Sequence, residues 1–196
     1  MGIPKRQNVI TPDEYLRLER AAEYRSEYFA GEIFAMAGGS FRQSLIKTNV
    51  SRELSLALKG HTCVACDSDL RIKVNASGLY SYPDASVICE PIEFDDEIRD
   101  TVLNPILLVE VLSPSTEAYD RGKKFEHYRR IPSLREYLLV SQESPLIEHY
   151  LRTEDKKWMM TEVSGLDATL VLPSLGIELT LREIFDRVDF NFSKSE

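Results

Sequence analysis

No apolar run in this 196-residue chain is long enough to cross a bilayer. The longest, Ile106 to Leu112, falls far short of the roughly 20 residues required and carries a glutamate. The opening MGIPKRQNVI has no hydrophobic centre for a signal peptide, and Arg6 stands where an acylation signal would have Ser or Thr. A soluble, cytoplasmic protein without membrane association is the expectation. Cysteine is scarce: Cys63, Cys66 and Cys89 are an odd set that does not suggest a disulfide scaffold, and core thiols in a reducing compartment are expected. His61 beside Cys63 and Cys66 falls short of the four ligands of a structural zinc site. Basic charge is also in deficit. A net charge of −8 argues against coating nucleic acid through many phosphate contacts.

The charge that is present is unevenly placed. Glu90 to Asp100 holds six acids against one base, whereas Arg121 to Arg130 holds five bases against one acid. The second segment can meet phosphates and the first repels them. Repeats and low-complexity linkers are absent from the chain, and the length suits one well-buried core, so residues 1–196 are expected to form a single domain with its core at about 11–188.

Helix and strand signals alternate along the chain. Thr11-Pro12-Asp13-Glu14 reads as a capped start, with Tyr15, Leu18 and Ala22 at helical spacing to about Glu23. Glu27 to Met36 reads as a hairpin turning at Gly31. Ser40 caps a helix whose apolar stripe is Phe41, Leu45, Val50, Leu54 and Leu58, ending at Gly60. Strands are expected at Cys63 to Ala65, Leu70 to Val74, Ser81 to Cys89 and, at the sheet's centre, Ile106 to Leu112. Asp120 can cap a helix running through Arg130, and Glu136 to Val140 resumes as a parallel strand. A hairpin around Thr153 to Lys156, short strands and a Thr180-capped helix complete an α/β (α+β) architecture, a mixed sheet flanked by helices.

One residue conflicts with this core. Period-2 alternation puts Glu110 on the face of Ile106, Leu108 and Leu112, where an uncompensated carboxylate costs several kcal/mol. Asp84 follows Pro83 in the preceding apolar stretch, so a second carboxylate can converge on the first. Paired carboxylates repel unless a cation lies between them, and hard divalent ions such as Mg²⁺ or Mn²⁺ accept such oxygens. Lys124 could bring an ammonium to the same place, with Tyr128 sharing its helix face. Plainer readings stand beside each residue. Asp84 can serve a turn, Glu110 can pair with Arg71, Lys124 can be a solvated helix lysine and Asp120 an N-cap. His127 is an ordinary helix-surface histidine beside Arg129 and Arg130.

YPDASVICE, followed by LNPILLVEVLSPSTEAYDRGKKFEHYRRIPSLREYLLV, closely resembles the bacterial Uma-two family of endonucleases within the PD-(D/E)XK superfamily. The likeness extends to YRSEYFAGEIFAMAGGS and SDLRIKV. It implies a restriction-endonuclease-like fold with Asp84 and Glu110 as the motif's acids. It also implies a displaced lysine, Lys124, because Leu112 stands two residues after the glutamate. Glu27 matches an upstream acid, and Gln43 stands where a histidine is frequent; unlike histidine, Gln43 cannot take a proton. The implied chemistry is metal-dependent hydrolysis of nucleic acid, DNA first, by a homodimer. Asp84, Glu110 and the Val111 carbonyl would hold Mg²⁺ or Mn²⁺, Lys124 would balance charge, and Glu27 would position water or a second ion. A catalytically silent binding module and a hydrolase of small phosphodiesters are the competing expectations.

Overall fold

The computed structural model describes residues 9–36 and 38–190; most of the N-terminal stretch read for export and acylation signals, residues 1–8, lies outside the described residues. None of the described helices is long and apolar enough to cross a membrane.

Thr11 caps α1 (Pro12–Ala21) by accepting from the Glu14 N–H at 3.2 Å. Its inner face is Tyr15, Leu16 and Glu19, with Leu18 39% exposed, so the buried stripe is rotated from the expected one. Strands β1 (Ser26–Phe29) and β2 (Glu32–Ala35) form the expected hairpin. Its turn takes positive φ at Ala30 and Gly31, a conformation that glycine adopts without steric cost. Ser40 caps α2 (Phe41–Ala57) through the Gln43 N–H. Ile46, Val50 and Leu54 line its buried face, while Phe41, assigned to the stripe by spacing alone, is exposed.

Two sheets organise the strands. A five-stranded sheet has the order β2-β1-β5-β4-β7, with β4 at Arg71–Val74, β5 at Leu79–Ser81 and β7 at Thr101–Val102. A six-stranded mixed sheet has the order β11-β10-β9-β8-β6-β3. There β3 is Cys63–Asp67, β6 Ala85–Cys89, β8 Pro105–Val111, β9 Glu136–Val140, β10 Leu146–Arg152 and β11 Trp158–Ser164. The expected single strand from Ser81 to Cys89 is therefore two. Pro83, which has no N–H for a ladder, and Asp84 mark the point where the chain leaves one sheet for the other. The parallel pairing of β8 with β9 agrees with expectation. A short hairpin, β12 (Thr169–Leu172) with β13 (Ile177–Thr180), leads into α5 (Leu181–Ile184), whose Thr180 makes no side-chain cap bond.

β8 divides its side chains between two cores. Leu107, Val109 and Val111 pack against Ile46, Val50 and Leu54 of α2. Leu108 and Leu112 face Ile72, Leu79, Tyr128 and Tyr137. Ile106, expected on Glu110's side, packs instead with the α2-side core, next to a register shift in the β6–β8 ladder. Between β8 and β9 runs a helical stretch composed of α3 (Glu117–Tyr119), a π-helical turn (Asp120–Lys124) and α4 (Phe125–Tyr128). Asp120 is thus not the helix cap: it lies inside the helix, 3% exposed, one residue past α3.

The cysteines correct another expectation. Cys63 and Cys89 oppose one another across the antiparallel β3–β6 pair and are joined by a disulfide, while Cys66 is free. The residues are 26 apart in sequence, so only the strand register reveals the pair.

Candidate active site

The ladder itself aims the first acid. β6 pairs antiparallel with β8, Ala85 opposite Val109, so Asp84 sits just before β6 beside the Glu110 end of β8. Its Oδ2 accepts the Val111 N–H at 2.7 Å, so the side chain satisfies a backbone donor beyond the last paired residue of β6. Its Oδ1 lies 2.6 Å from Lys47 Nζ. Lys47 is a residue that sequence reasoning missed. The available signal was its position one helical turn after Gln43, on the same face of α2.

Glu110 enters the second core beside Leu108 and Leu112, as its alternation required, and is 3% exposed. Its Oε1 receives Lys124 Nζ at 2.8 Å and the Tyr128 hydroxyl at 3.0 Å, and Tyr128 in turn meets Ser81 Oγ at 2.9 Å. Arg71, the alternative partner, pairs instead with Asp100, Thr101 and Tyr82. Lys124 is a buried cation rather than a solvated one. Besides Glu110 it reaches Glu27 Oε1 at 3.2 Å and Asp120 Oδ1 at 3.7 Å. Glu27 comes from β1 of the other sheet, and its Oε2 accepts from the Tyr119 hydroxyl at 3.2 Å. The structure therefore brings together Asp84, Glu110, Lys124 and Glu27, adding Asp120, Tyr119, Tyr128 and Lys47.

Burial pushes the Glu110 carboxyl well above the ordinary carboxylate range, against the pull of Lys124. Burial raises Asp120 as well, again opposed by Lys124. For Lys124 burial disfavours the charge, but Glu110, Tyr128, Glu27 and Asp120 outweigh it and hold the ammonium well above its usual value. Lys124 is thus a permanent positive charge and not a proton acceptor near neutrality.

Gln43 Nε2 donates to the Val111 carbonyl at 2.8 Å. Val111 is held at both ends of its peptide, by Asp84 through its N–H and by Gln43 through its oxygen. Gly39 permits this, since a Cβ there would stand 2.4 Å from Gln43 Oε1. These groups open onto a cavity of about 970 Å³, near the upper end of the roughly 300–1,000 Å³ of ligand sites. His127, expected on the surface, is part of its wall and largely buried, with its ring 4.6 Å from that of Phe29.

The donor set suits a hard divalent ion: two carboxylates, Asp84 and Glu110, and a backbone carbonyl whose oxygen keeps a lone pair beside its bond to Gln43. Each carboxylate already sits against an ammonium, Lys47 or Lys124, so the pocket is built around cationic neutralisation. Among the described residues there is no group of three or more His, Cys, Asp or Glu side chains disposed to hold a metal ion. A metal here would be held by two carboxylates with backbone and solvent oxygens.

A family model described as "Putative restriction endonuclease", named Uma2, matches residues 12–182. The chain belongs to the Uma2 family. Two Synechocystis proteins, both named as uncharacterized, resemble this Uma2 chain at 39% identity. Slr1290 aligns over 92% of the chain and 94% of its own length, and sll1609 over 83% and 92%. The crystal structure of a protein titled a putative nuclease of DUF820, from Anabaena variabilis, superposes with a TM-score of 0.72 at 23% identity, covering 90% of this chain and 97% of its own. That likeness supports the nuclease-like fold, a mixed sheet flanked by helices.

Proposed function

We propose that the cavity is the active site of a metal-dependent endonuclease that hydrolyses phosphodiester bonds, with DNA as its substrate. The observation that carries this reading is the convergence of Asp84 and Glu110 at one end of the central strand, with Lys124 2.8 Å from Glu110. Asp84, Glu110 and the Val111 carbonyl would hold Mg²⁺ or Mn²⁺. Such an ion, when bound, supplies Lewis-acid polarisation of a phosphoryl oxygen and acidifies a water. The protein's own groups do the rest. Lys124 holds fixed positive charge where negative charge accumulates on the reacting phosphate. Glu27, anchored by Tyr119 and Lys124, orients a water at Oε2. Gln43 and Asp84 keep the Val111 peptide from rotating. The chain works as one domain and as a homodimer; light scattering that finds only monomer refutes the latter.

A silent binding module is the second reading, and one observation favours it: Lys47 and Gln43 already engage Asp84 and the Val111 carbonyl. The separating experiment incubates supercoiled plasmid and single-stranded DNA with Mg²⁺ or Mn²⁺, using wild type, Asp84→Ala and Lys124→Ala. Cleavage by wild type and its loss in both variants supports the nuclease. Cleavage that survives in Asp84→Ala overturns the assignment of the site, and absence of cleavage throughout favours the silent module.

A further inference from the structure

The face of the β1–β2 hairpin beside the acids carries rings as well as charge. Strand register sets Glu27 directly opposite Phe34, so the two side chains project from the same face of the hairpin. Phe29, two residues after Glu27, shares that face, packs on His127, and lines the cavity. Phe34 is 49% exposed and Met36, beyond the end of β2, is 37% exposed, yet both line the same cavity as Asp84 and Glu110. Leaving a large ring half in water forgoes burial energy, and nothing among the described residues covers it. Lys47 and Lys123 also stand in the cavity wall, so cationic groups and an apolar shelf flank one acidic centre.

We propose that this shelf is a base-stacking subsite, centred on Phe34, and that the strand brought to the acids is unpaired. The inference rests on the nuclease reading and names its substrate class. Asp84 and Glu110 are 7% and 3% exposed, so a scissile phosphate must descend into the cavity to reach them. A duplex keeps its base faces covered by neighbouring pairs and carries its phosphates on a wide, stiff cylinder. An unpaired strand can lower one phosphate to the acids while turning an adjacent base onto Phe34, with the lysines facing the flanking phosphates. Ring stacking of this kind tolerates any base, because every base has a π-face. The acidic balance of the whole chain is compatible with this, since affinity then comes from stacking and a few local cations rather than from a broad basic surface.

The test is fluorescence anisotropy with a short labelled oligothymidylate carrying one 2-aminopurine, against the same strand annealed to its complement, in Ca²⁺ and with the strand recovered intact. The single strand is expected to bind tighter than the duplex and its 2-aminopurine to be quenched. Phe34→Ala should weaken single-strand binding roughly 5- to 100-fold and abolish the quenching, and Phe34→Trp should retain both. Equal affinity for strand and duplex, or unchanged single-strand affinity in Phe34→Ala, overturns the proposal, as does absence of binding to either probe. The nuclease reading fails separately: metal-dependent plasmid cleavage that Asp84→Ala abolishes leaves it intact even if the stacking subsite is refuted, and stacking without any cleavage leaves the subsite intact.

Discussion

Removing the ammonium of Lys124 is the sharpest perturbation of this structure. Lys124 Nζ lies 2.8 Å from Glu110, 3.2 Å from Glu27 and 3.7 Å from Asp120. At an effective dielectric constant of about 20, the Glu110 contact alone represents about 6 kcal/mol of gross attraction, which desolvation of both ions largely offsets. Lys124→Met preserves the stem but leaves three acids with no cation among them. Breaking a buried pair from one side costs about 3–5 kcal/mol, which for a chain of this size lowers the Tm by roughly 6–20 °C. The pH dependence has a definite sign. Without Lys124, burial still holds the Glu110 and Asp120 carboxyls above their ordinary values, so the folded variant binds more protons than the unfolded chain across the interval between the two. Lys124 pulls both carboxyls down in the wild type, so its loss raises them further; the deficit relative to wild type is full above the variant's folded values and shrinks as pH falls from those toward the wild-type folded values. The double variant Glu110→Gln/Lys124→Met should recover part of the loss, since it removes both members of the closest pair. Urea denaturation followed by circular dichroism at pH 7 and pH 5 measures all of this. A loss under about 1 kcal/mol at pH 7, or a deficit that is larger at pH 5 than at pH 7, refutes the reasoning.

Other perturbations test neighbouring parts of the argument. Lys47→Met frees Asp84 Oδ1 from its ammonium, and Mn²⁺ binding measured by calorimetry should tighten about fivefold, equivalent to about 1 kcal/mol of relieved competition. Weaker binding would show that Lys47 supports the site instead of competing for it. Outside the acidic cluster, hydrogen bonds from Arg20, aided by Arg71, hold Asp100 below the usual carboxylate range. That stabilisation is present above the unfolded value near 3.8 and is lost as pH falls through the lower folded one. Asp100→Asn should accordingly flatten the acid limb of the stability curve, read as urea midpoints below pH 5; an unchanged acid limb would contradict it.

Much of the fold was legible because it rests on local signals. Thr11 and Ser40 announce their helices through caps that the structure contains, and the continuous apolar run of β8 announces a strand covered on both faces. Glu110 was legible for the opposite reason, since a charge in that run violates the pattern and requires a partner. Spacing alone placed Tyr15, Val50, Leu54 and Leu58 in the core correctly but slipped elsewhere: Leu18 and Phe41 are exposed, while Leu16 and Ile46 are buried. Helical period leaves the rotation of the stripe open until another element packs against it.

The chain's own order of residues determined which groups could do chemistry: two acids in or beside apolar strands, a lysine within a basic segment, and an aspartate one helical turn before it. Tertiary structure alone decided what those groups meet. Asp120 and Lys124 became a buried cluster because a π-helical turn packs over β8, and Glu27 joined it from a different sheet. Lys47 reached Asp84 because α2 packs against β6 and β8, and Cys63 met Cys89 because β3 and β6 are in register. The physical reason is the same in each case. Burial, pairing and charge neutralisation are properties of the space between elements, and no local pattern encodes them until distant segments share a core.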